Sequence, residues 1–297
     1  MTDGRLTKRE QYDRKNFLFG IDGEVERAVE RVKDAYRFST RLGLGKLYVC
    51  FSGGKDSVAV YGVCKIASEQ LVMALGDMCE FTYNVTGVDP PELVWFIRDK
   101  YPMVQRSMYE RSMWQLILSK KFPPLRQARY CCQELKERGG FGRFVVTGVR
   151  WAESARRKNS RQAFEVFVNG KDPRVLNADN EEDRMALEHC IPKRKYICNP
   201  IVDWSDTTVW RFIVQEGLPY CGLYDQGFGR LGCIGCPFGG KTNREKEFDK
   251  YPKFKDEYIR TFDRVVAVRK KDGLKCDWDS GAELFDWWVR GEKGERR

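Results

Sequence analysis

Histidine is nearly missing from this chain. His189 is the single one among 297 residues, which all but removes histidine catalysis and any metal site rich in imidazole, and it reads as a loop residue. No apolar run approaches the roughly 20 residues needed to span a bilayer. The opening stretch, Met1 to Asn16, is polar and charged and lacks the apolar segment of a signal peptide. These absences predict a cytoplasmic protein with no membrane partner. Acid is also in short supply: 43 Asp and Glu face 53 Lys and Arg, a formal charge of +10. A balance this basic favours a polyanionic partner, nucleic acid above all, and says nothing about the fold.

What is present bounds the answer further. With 42% hydrophobic residues the chain can bury a large core. Eleven cysteines in a chain of this size do not read as a small secreted disulfide scaffold. They predict a reducing compartment and metal or redox roles for some of the thiols.

Alternating strand and helix patterns run along the first two thirds. Glu24 to Arg41 has Val25, Ala28, Val29, Val32, Ala35 and Tyr36 on one helical stripe. A strand at Leu47 to Phe51 is followed by a helix from Ser57 to Ser68. A strand at Phe81 to Val85 precedes a helix from Glu92 to Lys100, opened by Pro90-Pro91. Further elements are predicted at Val104 to Met108 (strand), Arg111 to Lys120 and Gln133 to Arg138 (helices), Phe144 to Thr147 and Asn199 to Asp203 (strands). Ser205 then caps a helix carrying Val209, Trp210, Phe212 and Ile213. Residues 156–195 are charged and poor in apolar side chains, and read as a mobile excursion over the site. A final helical stretch is expected from Phe248 to Lys271. The fold class is α/β, a parallel twisted sheet flanked by helices. The segments are a polar arm (1–20), a nucleotide-binding core (21–204) and a C-terminal cysteine-rich helical appendage (205–297).

The most informative stretch is Ser52-Gly53-Gly54-Lys55-Asp56-Ser57, placed between the first strand and the next helix. Adjacent glycines let the backbone turn sharply and approach a ligand. Amides at a fresh helix N-terminus, with Ser52 and Ser57, form a pocket for an anion. Lys55 supplies a point charge for phosphate, and Asp56 suits Mg²⁺ or a water. This is not the longer G-x-x-x-x-G-K-[ST] phosphate loop. It resembles the PP-loop of the ATP pyrophosphatases, which split ATP between the α and β phosphates.

Other segments extend the resemblance. Tyr83 to Glu92, with Thr86 and Gly87, looks like the segment after the second strand in the phosphoadenosine phosphosulfate (PAPS) reductase family. Val146-Thr147-Gly148-Val149-Arg150, with Arg156 and Arg157 beyond, is similar to that family's arginine loop, and Trp204-Ser205 with Val209-Trp210 to its later helix. The resemblance implies an adenine-nucleotide α-hydrolase-like fold with the nucleotide across the carboxyl ends of the strands. It places Arg150, with Arg156 or Arg157, on the phosphate side, where a guanidinium fork binds two oxygens at once.

Five cysteines compete for four positions in a metal site. Cys233 and Cys236 form a C-x-x-C knuckle among glycines, Cys221 lies upstream, and Cys131-Cys132 are adjacent. Four thiolates suit a [4Fe-4S] cluster or a tetrahedral zinc. Neighbours 131 and 132 should point different ways, so one is expected to bind metal and the other to stay free. The adjacent pair with C-x-x-C resembles the cluster pattern of adenosine-phosphosulfate reductases. Arg129-Tyr130-Cys131-Cys132 with Leu135-Lys136 also resembles a segment of the PP-loop enzymes of DNA phosphorothioation. The remaining cysteines read as buried small hydrophobes.

Sulfonucleotide reductases carry a nucleophilic cysteine in a C-terminal Glu-Cys-Gly-x-His motif and usually lack the full loop. Here the last cysteine is Cys276, with no histidine after it. The expected activity is therefore an ATP-dependent sulfur transferase that uses ATP and Mg²⁺. It adenylates an acceptor, nucleic acid in the first instance, and a persulfide or cluster-held sulfide then replaces AMP. A cysteine desulfurase fits as sulfur donor, and Cys132 or Cys198 as a persulfide carrier. The alternatives are a reductase of adenylyl sulfate and a non-catalytic nucleotide-sensing regulator on the same scaffold.

Overall fold

The computed structural model describes residues 6–13, 20–137, 139–168, 171–176 and 195–290. His189 and Cys190 fall outside them, as does half of the excursion expected over 156–195. The described chain divides into two compact units, each discontinuous in sequence. Residues 1–83, 92–106 and 139–229 form the first; residues 84–91, 107–138 and 230–297 form the second. The expected segments 1–20, 21–204 and 205–297 are each contiguous, and each of these units is assembled from three separate stretches.

The sheet has seven strands: β1 (Leu47–Cys50), β2 (Cys79–Val85), β3 (Gln105–Met108), β4 (Phe144–Val146), β5 (Phe164–Val168), β6 (Lys171–Leu176) and β7 (Lys195–Cys198). Their order is β3-β2-β1-β4-β7-β5-β6. β1 pairs in parallel with β2 and β4, and β4 in parallel with β7. Leu47, Val49, Phe144, Val145 and Val146 are at most 1% exposed, the continuous burial that a parallel strand covered on both faces requires. α1 (Lys8–Asp13), α2 (Asp22–Arg41), α3 (Lys55–Gln70), α4 (Leu75–Met78) and α5 (Pro91–Lys100) accompany the first strands. α2 buries Ala28, Val29, Val32, Ala35 and Phe38, so its stripe faces the core as the periodicity requires.

Two expectations are corrected and one is refined. The last parallel strand is Lys195–Cys198, upstream of the predicted 199–203. Pro200 has no amide to donate to a ladder, and 199–204 instead turns, with Val202 N–H donating to Asn199 O and Trp204 N–H to Ile201 O. The sheet is mixed rather than wholly parallel, because β5 runs antiparallel to both β7 and β6. The charges of this stretch hid the strand: Glu165 is 1% exposed between buried Phe164 and Val166, and its carboxylate accepts from Arg161 and Asn199. The helical stretch expected over 248–271 is two helices, because Tyr251 before Pro252 sits at φ −122°, ψ 64°, the extended bias of a residue preceding proline.

The second unit is helical: α6 (Met113–Lys120), α7 (Tyr130–Leu135), α10 (Lys241–Lys250), α11 (Pro252–Lys271) and α12 (Gly281–Arg290). Between them in chain order come α8 (Ala155–Ser160) and α9 (Asp206–Gln215) of the first unit. The core of the second unit gathers Leu116, Ile117, Ile234, Phe248, Phe262 and Trp288. Tyr258 donates its hydroxyl proton to Ile234 O at 3.0 Å, which ties α11 to the cysteine knuckle. Among the described residues no helix is long and apolar enough to cross a membrane.

Candidate functional site

The strand order reverses beside β1: β2 and β3 lie on one side of it and β4 on the other. In open α/β sheets the crevice outside the carboxyl ends of strands at such a switch point is the usual ligand site. Both segments singled out by sequence leave strands there, 51–57 after β1 and 147–150 after β4.

Gly53 has φ +72°, and a Cβ on it would meet Leu93 Cδ1 at 2.7 Å, so conformation and space both demand glycine. A Cβ on Gly148 would stand 3.1 Å from the Asp56 carbonyl; this bare backbone lets the β4 loop close onto the first turn of α3. Ser57 Oγ donates to Gly54 O at 2.8 Å and lies 3.3 Å from Ser52 Oγ. Gly54 is the N-cap of α3 and supplies no side-chain acceptor; of the first amides, that of Lys55 is taken by the Tyr224 hydroxyl.

Two cations and two carboxylates meet at this helix start. Lys55 Nζ lies 3.2 Å from Asp56 Oδ2 and 3.3 Å from Asp206 Oδ1. Arg150 is 1% exposed. Its Nε donates to Asp56 Oδ1 at 2.7 Å, its Nη1 to Trp204 O at 3.0 Å and its Nη2 to Asp206 Oδ1 at 2.5 Å. Burial works against the Arg150 charge, and the two carboxylates more than offset it, raising its pKa. For Asp206 burial pulls upward, but Lys55 and Arg150 outweigh it and hold the carboxyl below the usual range.

Arg150 was expected to reach phosphate directly; in this geometry its guanidinium is spent on fixing Asp56 and Asp206. Arg157 pairs instead with Glu153, and Arg156 is exposed on α8. Sequence reasoning missed Asp206, which follows the helix-capping Ser205 and reads as no more than a first-turn acid. It also missed Tyr224, whose hydroxyl accepts from the Lys55 amide at 2.8 Å and so occupies one of the loop's anion donors. Tyr224→Phe is expected to lose about 1 kcal/mol of stability, the typical net worth of one hydrogen bond. Thermal unfolding of the two proteins measures it.

The second unit holds its own cluster. Cys131 and Cys132 sit on α7, Cys233 and Cys236 in the knuckle, and Cys131 lies within electrostatic reach of the other three thiols. The Cys131 thiol donates to Cys132. That bond raises Cys131, with burial and the other thiols adding to the effect. The same bond brings Cys132 down to about 5 against its burial, helped by Lys136 and Arg129. Burial pushes Cys233 up to about 11, against the pull of Lys136; Lys136 in turn is raised by Cys233. Thr86 and Gly87 belong here too: Cys233 Sγ lies 3.5 Å from Thr86 Oγ1, and Ile234 N–H donates to Val88 O at 2.8 Å.

Cys221 belongs to the first unit, 1% exposed at the start of a short turn. Cys198 is fully buried and its thiol is pushed up by that burial, a poor setting for a sulfur carrier. Among the described residues no three Cys, His, Asp or Glu side chains stand where they could hold a metal ion. The donor set still suits a tetrathiolate centre by its chemistry, because four thiols belong to one unit and Lys136, Arg129 and Arg244 lie within electrostatic reach of them.

Residues 46–238 match the phosphoadenosine phosphosulfate reductase domain. An uncharacterized protein of Methanocaldococcus jannaschii is 25% identical over 281 residues, which cover 92% of this chain and 59% of that protein. A second from the same organism is covered over 44% of its length, so the chain spans about half the length of these relatives. An adenosine 5'-phosphosulfate reductase of Staphylococcus epidermidis is 24% identical over 73% of this chain and 79% of its own. Among solved structures, the phosphoadenylyl-sulfate reductase of Candida auris in a phosphate complex has a TM-score of 0.43 and 14% identity, over 74% of this chain and 96% of that one. The U34-tRNA thiolase NcsA of Methanococcus maripaludis, solved with its [4Fe-4S] cluster, has a TM-score of 0.43 and 11% identity, over 95% and 93%. The matched domain takes in more than half of the 297 residues, including the loop after β1 and the arginine segment after β4: the chain belongs to the phosphoadenosine phosphosulfate reductase domain family.

Proposed function

We propose that the chain is an ATP pyrophosphatase-type sulfur transferase acting on a nucleic acid. The observation that carries this is the complete Ser52–Ser57 loop, formed at the sheet's switch point with Lys55 and Asp56 in contact. A protein that binds a ready-made adenylyl sulfate has no need of groups that split ATP. Cys276 supports the same reading: its thiol donates to Trp278 O at 3.4 Å and packs against the second unit's core, unlike a nucleophile on a free tail.

In this reading the loop amides and Lys55 bind the triphosphate, and Asp56 holds Mg²⁺. An acceptor oxygen attacks the α-phosphorus, the α–β anhydride breaks, and the electron pair leaves on pyrophosphate, whose developing charge Lys55 stabilises. Hydrosulfide then displaces AMP, which carries the acceptor oxygen away. The hydrosulfide comes from solution or from a cysteine desulfurase persulfide with a thiol reductant. Arg150 acts through Asp56, fixing its orientation, and is a positioning residue. The +10 charge favours the nucleic-acid acceptor.

Cys131, Cys132, Cys233 and Cys236 are assigned as the four metal ligands, all from one unit, with Cys221 left in the other unit's core. A [4Fe-4S] cluster bound there would supply a site to hold or reduce sulfur; zinc would supply structure only.

A second reading, a reductase of adenylyl sulfate, draws on the sequence relatives that carry that name. The test is anaerobic purification with iron, zinc and sulfide analysis, followed by product identification. AMP and pyrophosphate from ATP are expected. Sulfite from adenylyl sulfate, without pyrophosphate from ATP, would establish the reductase instead.

A further inference from the structure

Arg244 lies on the first turns of α10, just past the knuckle, and is 3% exposed. One nitrogen is accounted for: Nη1 donates to Trp288 O at 2.7 Å and Val289 O at 3.4 Å, at the end of α12. The guanidinium also lies 4.1 Å from the centre of the Trp288 ring. Its Nε and Nη2 are buried and have no hydrogen-bond partner among the described residues. A guanidinium cannot shed its charge to escape this, and a buried donor left unpaired is costly.

The ionisable groups that favour the Arg244 charge are the Tyr258 phenol, which burial keeps protonated, Cys236 and Glu247, while Arg126 opposes it. Glu247 is already committed, accepting from Gly235 N–H at 2.7 Å and Asn243 Nδ2 at 2.8 Å; Tyr258 donates to Ile234 O. That leaves the sulfur of Cys236. Its fellow thiols have cations of their own, Lys136 with Cys233 and Arg129 with Cys132.

We propose that Arg244 is a positioning residue for an anionic tetrathiolate centre, its two unpaired N–H donors reserved for the sulfur side of that centre at Cys236. This rests on the thiol assignment above. Four thiolates around a dipositive zinc ion or a dipositive cluster leave a net double negative charge, and a buried centre of that charge needs cations and N–H donors around its sulfurs. Lys136, Arg129 and Arg244 supply three, each from a different position in the chain.

The test compares the full-length parent with Arg244→Lys and Arg244→Met, purified anaerobically. Iron and zinc are measured per chain, and release to excess EDTA is followed in time, with thermal unfolding of the metal-stripped proteins as control. Arg244→Met is expected to release metal about tenfold faster or more, in keeping with the loss of an outer-shell partner. Arg244→Lys keeps the charge but not the fork, and should fall between. Equal release from all three proteins would overturn the assignment and leave Arg244 as a clamp on α12. Should Arg244→Met fail to fold, the lysine variant alone decides, since parent-like release from it has the same meaning. A parent that holds neither iron nor zinc at these cysteines would overturn the thiol assignment itself, and this inference with it.

Discussion

Pyrophosphate release from ATP is expected to fall by roughly 10²–10³-fold in Asp56→Ala and in Lys55→Ala, the range for loss of one preorganised charge at a reacting centre. The two variants should fail in different ways. Lys55 is 9% exposed and sits between the Asp56 and Asp206 carboxylates, so its removal leaves them with Arg150 as their remaining counter-ion. Asp56→Ala frees the Arg150 Nε as well as deleting the group assigned to Mg²⁺. Raised Mg²⁺ should therefore do nothing for Asp56→Ala. Measuring pyrophosphate against Mg²⁺ concentration checks both claims. ADP and phosphate as the parent's products, or parent-like rates in both variants, would sink the pyrophosphatase reading.

The second large effect is on stability. Arg150→Met is expected to cost about 3 kcal/mol, the lower end for breaking a buried ion pair, because Lys55 remains beside both carboxylates. The pair has an ordinary surface alternative on one side only: Asp206 is 69% exposed at its side chain, whereas Asp56 is 25% exposed. Most of the loss should therefore come through Asp56, and Asp56→Asn in the same background should restore part of it. Denaturant unfolding of the parent, both single variants and the double variant measures that coupling. A cost within 1 kcal/mol of zero for Arg150→Met would show that the carboxylates need no guanidinium. The pH dependence follows from the lowered Asp206 carboxyl. Its contribution is complete above the ordinary carboxylate range and is lost as pH falls through the lowered folded value.

Much of this was legible in the chain, and the exceptions share a cause. The loop was readable because all six of its residues are contiguous and its backbone demands are local: positive φ at Gly53, a helix beginning at Lys55. The α2 stripe and the Ser205 cap, which accepts from Thr208 N–H at 2.9 Å, were readable for the same reason. Asp206 and Tyr224 were not. Their roles depend on partners 56 and 169 residues away, and no spacing rule carries that information. β5 was hidden because a buried glutamate breaks the apolar pattern, and it is tolerated only through Arg161 and Asn199. The thiols were identifiable as a group, but the choice among five was not, since it turns on which unit each belongs to.

The interleaving of the two units has a consequence for synthesis. The segment carrying Cys131 and Cys132 leaves the ribosome about a hundred residues before the one carrying Cys233 and Cys236, and the second unit draws on both. The early thiols must therefore wait without their fellow ligands while the rest of the first unit is made. Accessible thiols without ligand partners are open to oxidation. Expression in air should accordingly yield chains oxidised at Cys131 or Cys132, and slowed translation between residues 138 and 230 should worsen it.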